Sequence, residues 1–155
     1  ECPDTTFCVV SSNHDQFVRK WLNDGNWVKD QLNANIGCKM FLSLTQGKNV
    51  FEGYSKFPDR LKLLGPKDSM VIKGYEMACH GHEGIAGAKG STKTYTKVTD
   101  NSVTGHTHSP QIFKSTFVVG TNSKYELPYT GDLMNWGHSN VIVHQNGTCQ
   151  QIFCD

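Results

Sequence analysis

Three times along this chain a short run of β-forming residues delivers Asn or His to its carboxyl end. The runs are Val9-Val10-Ser11-Ser12-Asn13-His14-Asp15, Met77-Ala78-Cys79-His80-Gly81-His82 and Ser102-Val103-Thr104-Gly105-His106-Thr107-His108. This pattern constrains the fold, because open α/β sheets gather functional groups just beyond the carboxyl ends of their strands. Five of the seven histidines (His14, His80, His82, His106 and His108) fall in these runs. Chance scatter over 155 residues would seldom concentrate them so, which points to a shared metal site.

Each run has its own chemistry. An Asn13 oxygen can ligate a divalent metal, and His14 can act as acid or base near neutral pH. The plainer alternative is an Asn-His turn with Asp15 capping the helix that follows. His80 and His82 flank Gly81, which permits a tight turn and close ligand approach; they are a metal ligand with its neighbour, or a polar turn. His82 either orients His80 or touches substrate. In an extended segment His106 and His108 point the same way, with Gly105 and Pro110 bracketing them.

Between the runs the chain alternates strand and helix. Residues 5–11 form a buried strand, unbroken by polar alternation. Residues 15–22 form a helix with Phe17 or Val18 beside Trp21 and Leu22, stopped by Asp24-Gly25. Residues 27–44 continue as a helix with Val28, Leu32, Ile36 and Met40 at fours, or as two helices because Gly37 weakens the middle. Residues 59–64, after Pro58, form a short helix. Strands follow at 70–72 and 75–79, then a Gly- and Ala-rich loop at 83–90, a helix at 91–98 and a strand at 102–104. Residues 84–91 either present amides and Lys89 to a phosphate or pack as a plain loop. Further strands cover 112–113, 117–119, 141–143 and 151–153. Asn146-Gly147 turns the last two into a hairpin, a reading preferred to a glycosylation sequon. Residues 122–138 form an ordered loop carrying Tyr125, Tyr129 and Trp136. His138 and His144 read as structural, and Trp21 and Trp27 as core. The order argues for one α/β layered domain over residues 1–155.

Composition excludes little. A net charge of +1 makes no bulk case for or against a nucleic-acid partner. No apolar run suits a membrane span, and the N-terminus lacks the charged and apolar regions of a signal peptide. Without an initiating Met, the chain is expected to be a fragment or processed product. None of the six cysteines forms a C-x-x-C pair. They read as free thiols in a reducing, cytoplasmic compartment.

Together the three runs resemble the calcineurin-like metallophosphoesterase superfamily, whose ordered blocks are D-x-H, G-D-x-x-D, G-N-H-[DE], an isolated His-Gly and G-H-x-H. The last three blocks are matched by Ser12-Asn13-His14-Asp15, with Ser12 in the glycine position, by His80-Gly81-His82 and by Gly105-His106-Thr107-His108. The likeness spans roughly residues 5–145, and its local context is similar to bacteriophage metallophosphoesterases of DNA metabolism. It implies a layered α-β-β-α sandwich in which residues 5–11 are the third strand and the N-terminal strands are missing. It implies Asn13, His80 and His106 as ligands of one metal and His108 as a ligand of another. His14 would stand near the phosphate as the acid. The implied cofactors are two divalent ions, manganese first, with iron and zinc as alternatives, about 3.5–4 Å apart and generating a hydroxide. The first two blocks have no counterpart, since Asp4 matches neither. The chain is therefore expected to be the C-terminal portion of a phosphodiesterase or nuclease. Its expected substrate is a phosphate ester, with DNA as the finer expectation, and its location the host cytoplasm if phage-encoded. The rivals are a phosphomonoesterase on small molecules or phosphoproteins, and a catalytically silent metal-binding or structural module.

Overall fold

A computed structural model describes residues 4–51, 58–125 and 134–154 of the chain. The chain divides into two compact units, Glu1–Leu64 and Gly65–Asp155. Both are mixed α/β.

The first unit contains β1 (Phe7–Val10), α1 (His14–Asn23), α2 (Asn26–Lys29), α3 (Ala34–Thr45) and β2 (Leu61–Leu64). β2 corrects the predicted helix over 59–64. Only Pro58–Arg60 turns, as a single 3-10 turn. Leu61 to Leu64 instead pairs in parallel with β1, Phe7 opposite Leu61 and Val10 opposite Leu64. A segment this short cannot satisfy its own amides as a helix, whereas a ladder satisfies them at once. β1 forms where predicted, but it is not the buried strand its composition implies. Phe7 is 43% and Val9 37% exposed, and the Arg60 guanidinium lies over the Phe7 ring, 5.3 Å from its centroid.

The helices of this unit depart from the predicted face. The break falls at residues 30–33, where Asp30 accepts from the backbone and side-chain nitrogens of Asn33 (3.2 and 3.0 Å). Gly37 lies inside α3, buried against α1 and α2. A Cβ there would stand 2.7 Å from Trp27 Cβ and 2.9 Å from Trp21 Cη2. Gly37 is thus the point of close helix approach rather than a break. Turning that side inward leaves Val28 63% and Leu32 92% exposed, while Leu22 of α1 is buried.

The second unit is built on a five-stranded sheet in the order β3-β4-β5-β7-β6. Its strands are β3 (Val71–Ile72), β4 (Tyr75–Glu76), β5 (Ser102–Thr104), β6 (Gln111–Phe113) and β7 (Thr116–Val118). β4, β5 and β7 run parallel to one another, and β3 and β6 are antiparallel to their neighbours. Between β4 and β5 the chain crosses through α4 (Thr92–Val98), which packs on β6 and β7. Ser91 caps α4, its Oγ accepting from Thr94 N–H (3.2 Å).

The sheet core is partly polar. Ser102 and Thr116 are fully buried, and their hydroxyls hydrogen bond across β5 and β7 (3.1 Å). A separate hairpin of β8 (Ser139–Val143) and β9 (Cys149–Phe153) turns at Asn146-Gly147 as predicted. Thr148 N–H and Oγ–H both donate to Asn146 Oδ1 (3.0 and 2.7 Å). Gln151 Nε2 ties β9 to Val118 O (2.8 Å). Tyr129 and part of the predicted 122–138 loop lie outside the described residues, as does Cys2. Cys8, Cys38, Cys79, Cys149 and Cys154 are free. Among the described residues no helix is long and apolar enough to cross a membrane.

Candidate functional site

β4 and β5 are parallel neighbours, with Glu76 opposite Ser102, so the two histidine-bearing turns leave the same end of the sheet. The His80 and His106 rings pack edge to face with centroids 5.2 Å apart. His80 lies 5.2 Å from His82, and His82 lies 6.0 Å from His106. Gly105 N–H donates to His80 O (2.9 Å), which pins the two turns together.

The backbone of the second turn is unusual. Thr107 N–H donates to Gly105 O (2.9 Å), closing a three-residue turn around His106 at φ +72°. That turn is the rare, strained kind. His108 is also left-handed, at φ +59°. Each such non-glycine residue costs on the order of 1–3 kcal/mol and persists only where its surroundings impose it. The extended geometry predicted for residues 106–108 is therefore replaced by a turn. His106 joins His80 and His82, while the His108 ring packs edge to face on Trp136, 4.4 Å between centroids. Gly137 N–H, beside Trp136, donates to His108 O (3.0 Å).

Gly81 meets the expectation of a tight turn. It sits at φ +110°, and a Cβ there would lie 2.9 Å from Gly105 O. The 83–91 segment closes over this turn, with Gly90 N–H donating to His82 O (3.0 Å) and Gly84 N–H to Ala88 O (2.6 Å). Tyr95 Oη donates to Glu83 O. The loop is thus packed by its own backbone bonds. The Thr94 amide in the first turn of α4 donates to Ser91 Oγ (3.2 Å).

Electrostatics separates the neighbours of the cluster. Burial first, then the charge of Glu76, pushes the Cys79 thiol up. Cys79 is therefore a neutral packing group at neutral pH, not a thiolate. Burial, then Cys79 and Glu83, pushes the Tyr95 hydroxyl up to about 12. Burial acts against the Glu76 carboxylate. The Ser69 hydroxyl and the Ala78, Met70 and Met77 amides outweigh it and hold the carboxyl below its ordinary value. His82 Nε2 stands 3.6 Å from Glu83 Oε1. Its Nδ1 is buried and, among the described residues, accepts or donates no hydrogen bond.

Asn13 and His14 belong to the first unit. Asn13 ends the turn after β1, and His14 opens α1, exposed and edge to face with Phe17 at 5.7 Å. Asp15 is not the cap that was predicted. It lies inside the first turn and reaches back, Oδ2 accepting from Ser12 N–H (2.8 Å) and Oδ1 from Ser12 Oγ (3.3 Å). His138 and His144 take structural partners, as predicted. His138 Nε2 bonds to Ser123 O (2.9 Å) and its ring stacks on Tyr125, while His144 Nε2 meets Gln150 Oε1 (3.3 Å).

Imidazoles suit iron and zinc, and the three rings lie 5.2–6.0 Å apart, centroid to centroid. His82 Nδ1, buried and without a hydrogen-bond partner among the described residues, is a further nitrogen of the right kind. Among the described residues, however, no group of three or more His, Cys, Asp or Glu side chains is already arranged to hold a metal ion. The residues missed from sequence are Glu83, Trp136 and Tyr95, which reach His82, His108 and the Glu83 carbonyl. Only adjacency to a histidine run marks Glu83, and nothing local marks the other two.

No family model matches the chain, and no solved structure matches it. Protein A1 of Escherichia phage T5 is 26% identical over 152 residues, which covers 90% of this chain and 27% of that protein. The chain thus spans about a quarter of the length of the curated relative it matches.

Proposed function

We propose that the chain is part of a metal-dependent phosphoesterase of the calcineurin-like class, a phosphodiesterase whose substrate is DNA. The observation that carries this reading is the gathering of His80, His82 and His106 from adjacent parallel strand ends. The strained turn that presents His106 supports it, as does the order of the three motifs. A relative encoded by a phage is in keeping with a phage protein at work in the host cytoplasm. The overall architecture in this reading is the α-β-β-α sandwich.

His80 and His106 would supply imidazole nitrogens to a divalent ion, manganese before iron or zinc; a ligand role for Asn13 is what its motif implies. His108, braced on Trp136, would hold a second ion. Bound divalent ions polarise phosphoryl oxygens and lower the pKa of water. His14 donates a proton to the leaving oxygen, and its exposure at the start of α1 leaves it open to substrate. Gly81 holds the His80 turn against Gly105 and so keeps His80 beside His106.

The test is metal content and turnover of the longest natural chain that contains these motifs. With Mn²⁺ it should hydrolyse bis(p-nitrophenyl) phosphate and cut plasmid DNA. His106→Ala should lower bound metal, and unchanged stoichiometry would refute the ligand role. Rapid turnover of p-nitrophenyl phosphate with DNA left intact would make the enzyme a phosphomonoesterase. One observation favours a second reading, a silent structural module: among the described residues no ligand set is already arranged. Metal-independent stability with no turnover would establish it.

A further inference from the structure

Four lysines of the second unit have no part in the reading above. Lys89 ends the loop between His82 and α4, Lys93 and Lys97 lie on α4, and Lys114 tops the β6–β7 turn. All four are exposed. Lys93 and Lys97 share one helix face, about 6 Å apart along the axis. Tyr95, two residues from each, is buried. Two residues are a rotation of about 200°, so the lysine face is the outward one. Residues 84–99 and 102–119 contain no Asp or Glu. Among the described residues none of the four lysines is in a salt bridge.

An aromatic ring stands beside Lys114. Thr92 Oγ1 of α4 donates to Gln111 Oε1 (2.9 Å), so Gln111 faces α4. Phe113, two residues on along β6, shares that face of the sheet and remains 37% exposed. Lys114 Nζ lies 6.0 Å from its ring centroid. The same helix is hooked onto the histidine turn through the Gly90 to His82 and Tyr95 to Glu83 hydrogen bonds.

We propose that Lys93, Lys97, Lys114 and Phe113 form a track for single-stranded DNA leading to the histidine cluster. The lysines neutralise successive phosphates and Phe113 stacks on a base. Cationic side chains with an exposed ring are what unpaired strands recognise, since phosphate contacts release counterions and any base can stack. The proposal rests on the phosphodiesterase reading for what happens at the end of the track, and it makes the substrate a polynucleotide rather than a small ester.

The test is fluorescence anisotropy of a labelled single-stranded oligonucleotide with the full chain in EDTA, across salt concentrations. Lys93→Ala/Lys97→Ala should lower the slope of log affinity against log salt by about 1.4, two contacts at about 0.7 each. Phe113→Ala should weaken binding about tenfold and leave the slope unchanged. An unchanged slope in the lysine variant overturns the track, and duplex bound as tightly as single strand with a silent Phe113→Ala overturns the choice of strand. Hydrolysis of bis(p-nitrophenyl) phosphate by the wild-type protein is measured alongside. Its absence counts against the phosphoesterase reading alone, because the binding measurements need no turnover.

Discussion

Gly87 and Gly90 stand three residues apart in the loop over the histidine turn, yet alanine tests different physics at each. A Cβ on Gly90 would lie 2.1 Å from Gly81 O and 2.9 Å from Tyr95 Oη. The first neighbour is backbone and cannot swing aside. Relief requires lifting the loop, which breaks the Gly90 to His82 hydrogen bond. The lost bond costs about 1 kcal/mol and overpacking about 1–3 kcal/mol, so Gly90→Ala should cost about 2–4 kcal/mol. Gly87 is at φ +78° with nothing within 4 Å of its Cβ position. Alanine there meets only the left-handed backbone penalty, about 1–2 kcal/mol. Urea unfolding of both variants, read by circular dichroism, should show Gly90→Ala the more destabilised. Amide exchange should show the His82 turn deprotected in Gly90→Ala alone. Equal costs, or a Gly90→Ala variant as stable as wild type, would refute the claim that backbone contact holds the His turn.

Tyr95 makes stability depend on alkaline pH. Its folded value of about 12 exceeds the ordinary 10, so the unfolded chain loses its proton first. Stability is therefore full below about pH 10 and falls between about 10 and 12. Tyr95→Phe should remove that leg of the profile, while destabilising the protein at neutral pH by about 1 kcal/mol through the lost bond to Glu83. Gly37→Ala should loosen the first unit, since Trp27 Cβ would be 2.7 Å away; tryptophan fluorescence and thermal unfolding check it. Ser102→Ala should cost about 1–3 kcal/mol by stranding the Thr116 hydroxyl, and adding Thr116→Val should recover part of that in a double-mutant cycle. His14→Ala should abolish esterase activity with bound metal near wild type, and loss of metal would end its assignment as a non-ligand.

Some of the fold was legible because local chemistry and tertiary context agree. β1, α1, α4 and the β8–β9 hairpin each carry a strong local signal: an apolar run, a 3.6-residue face with a Gly stop, a Ser cap and an Asn-Gly turn. Other elements were not. Leu61 to Leu64 has helix-forming leucines and lysine, and only β1 as a parallel neighbour makes it a strand. Lys73 and Lys114 take positive φ in the turns of their hairpins, a conformation lysine seldom adopts. The Val28 and Leu32 face was periodic but not inward, because the Gly37 contact with both tryptophans sets the helix rotation instead.

The same division holds for the site. By itself the sequence determined that His80, His82, His106 and His108 follow short strands, since side-chain identity and strand-to-turn transitions are local properties. Only tertiary structure decided that β4 and β5 are parallel neighbours, which brings His80, His82 and His106 together. It also decided that His106 and His108 part, one to the histidine cluster and one to Trp136. Backbone hydrogen bonds to distant segments, Gly105 N–H to His80 O and Gly137 N–H to His108 O, fix where that turn points.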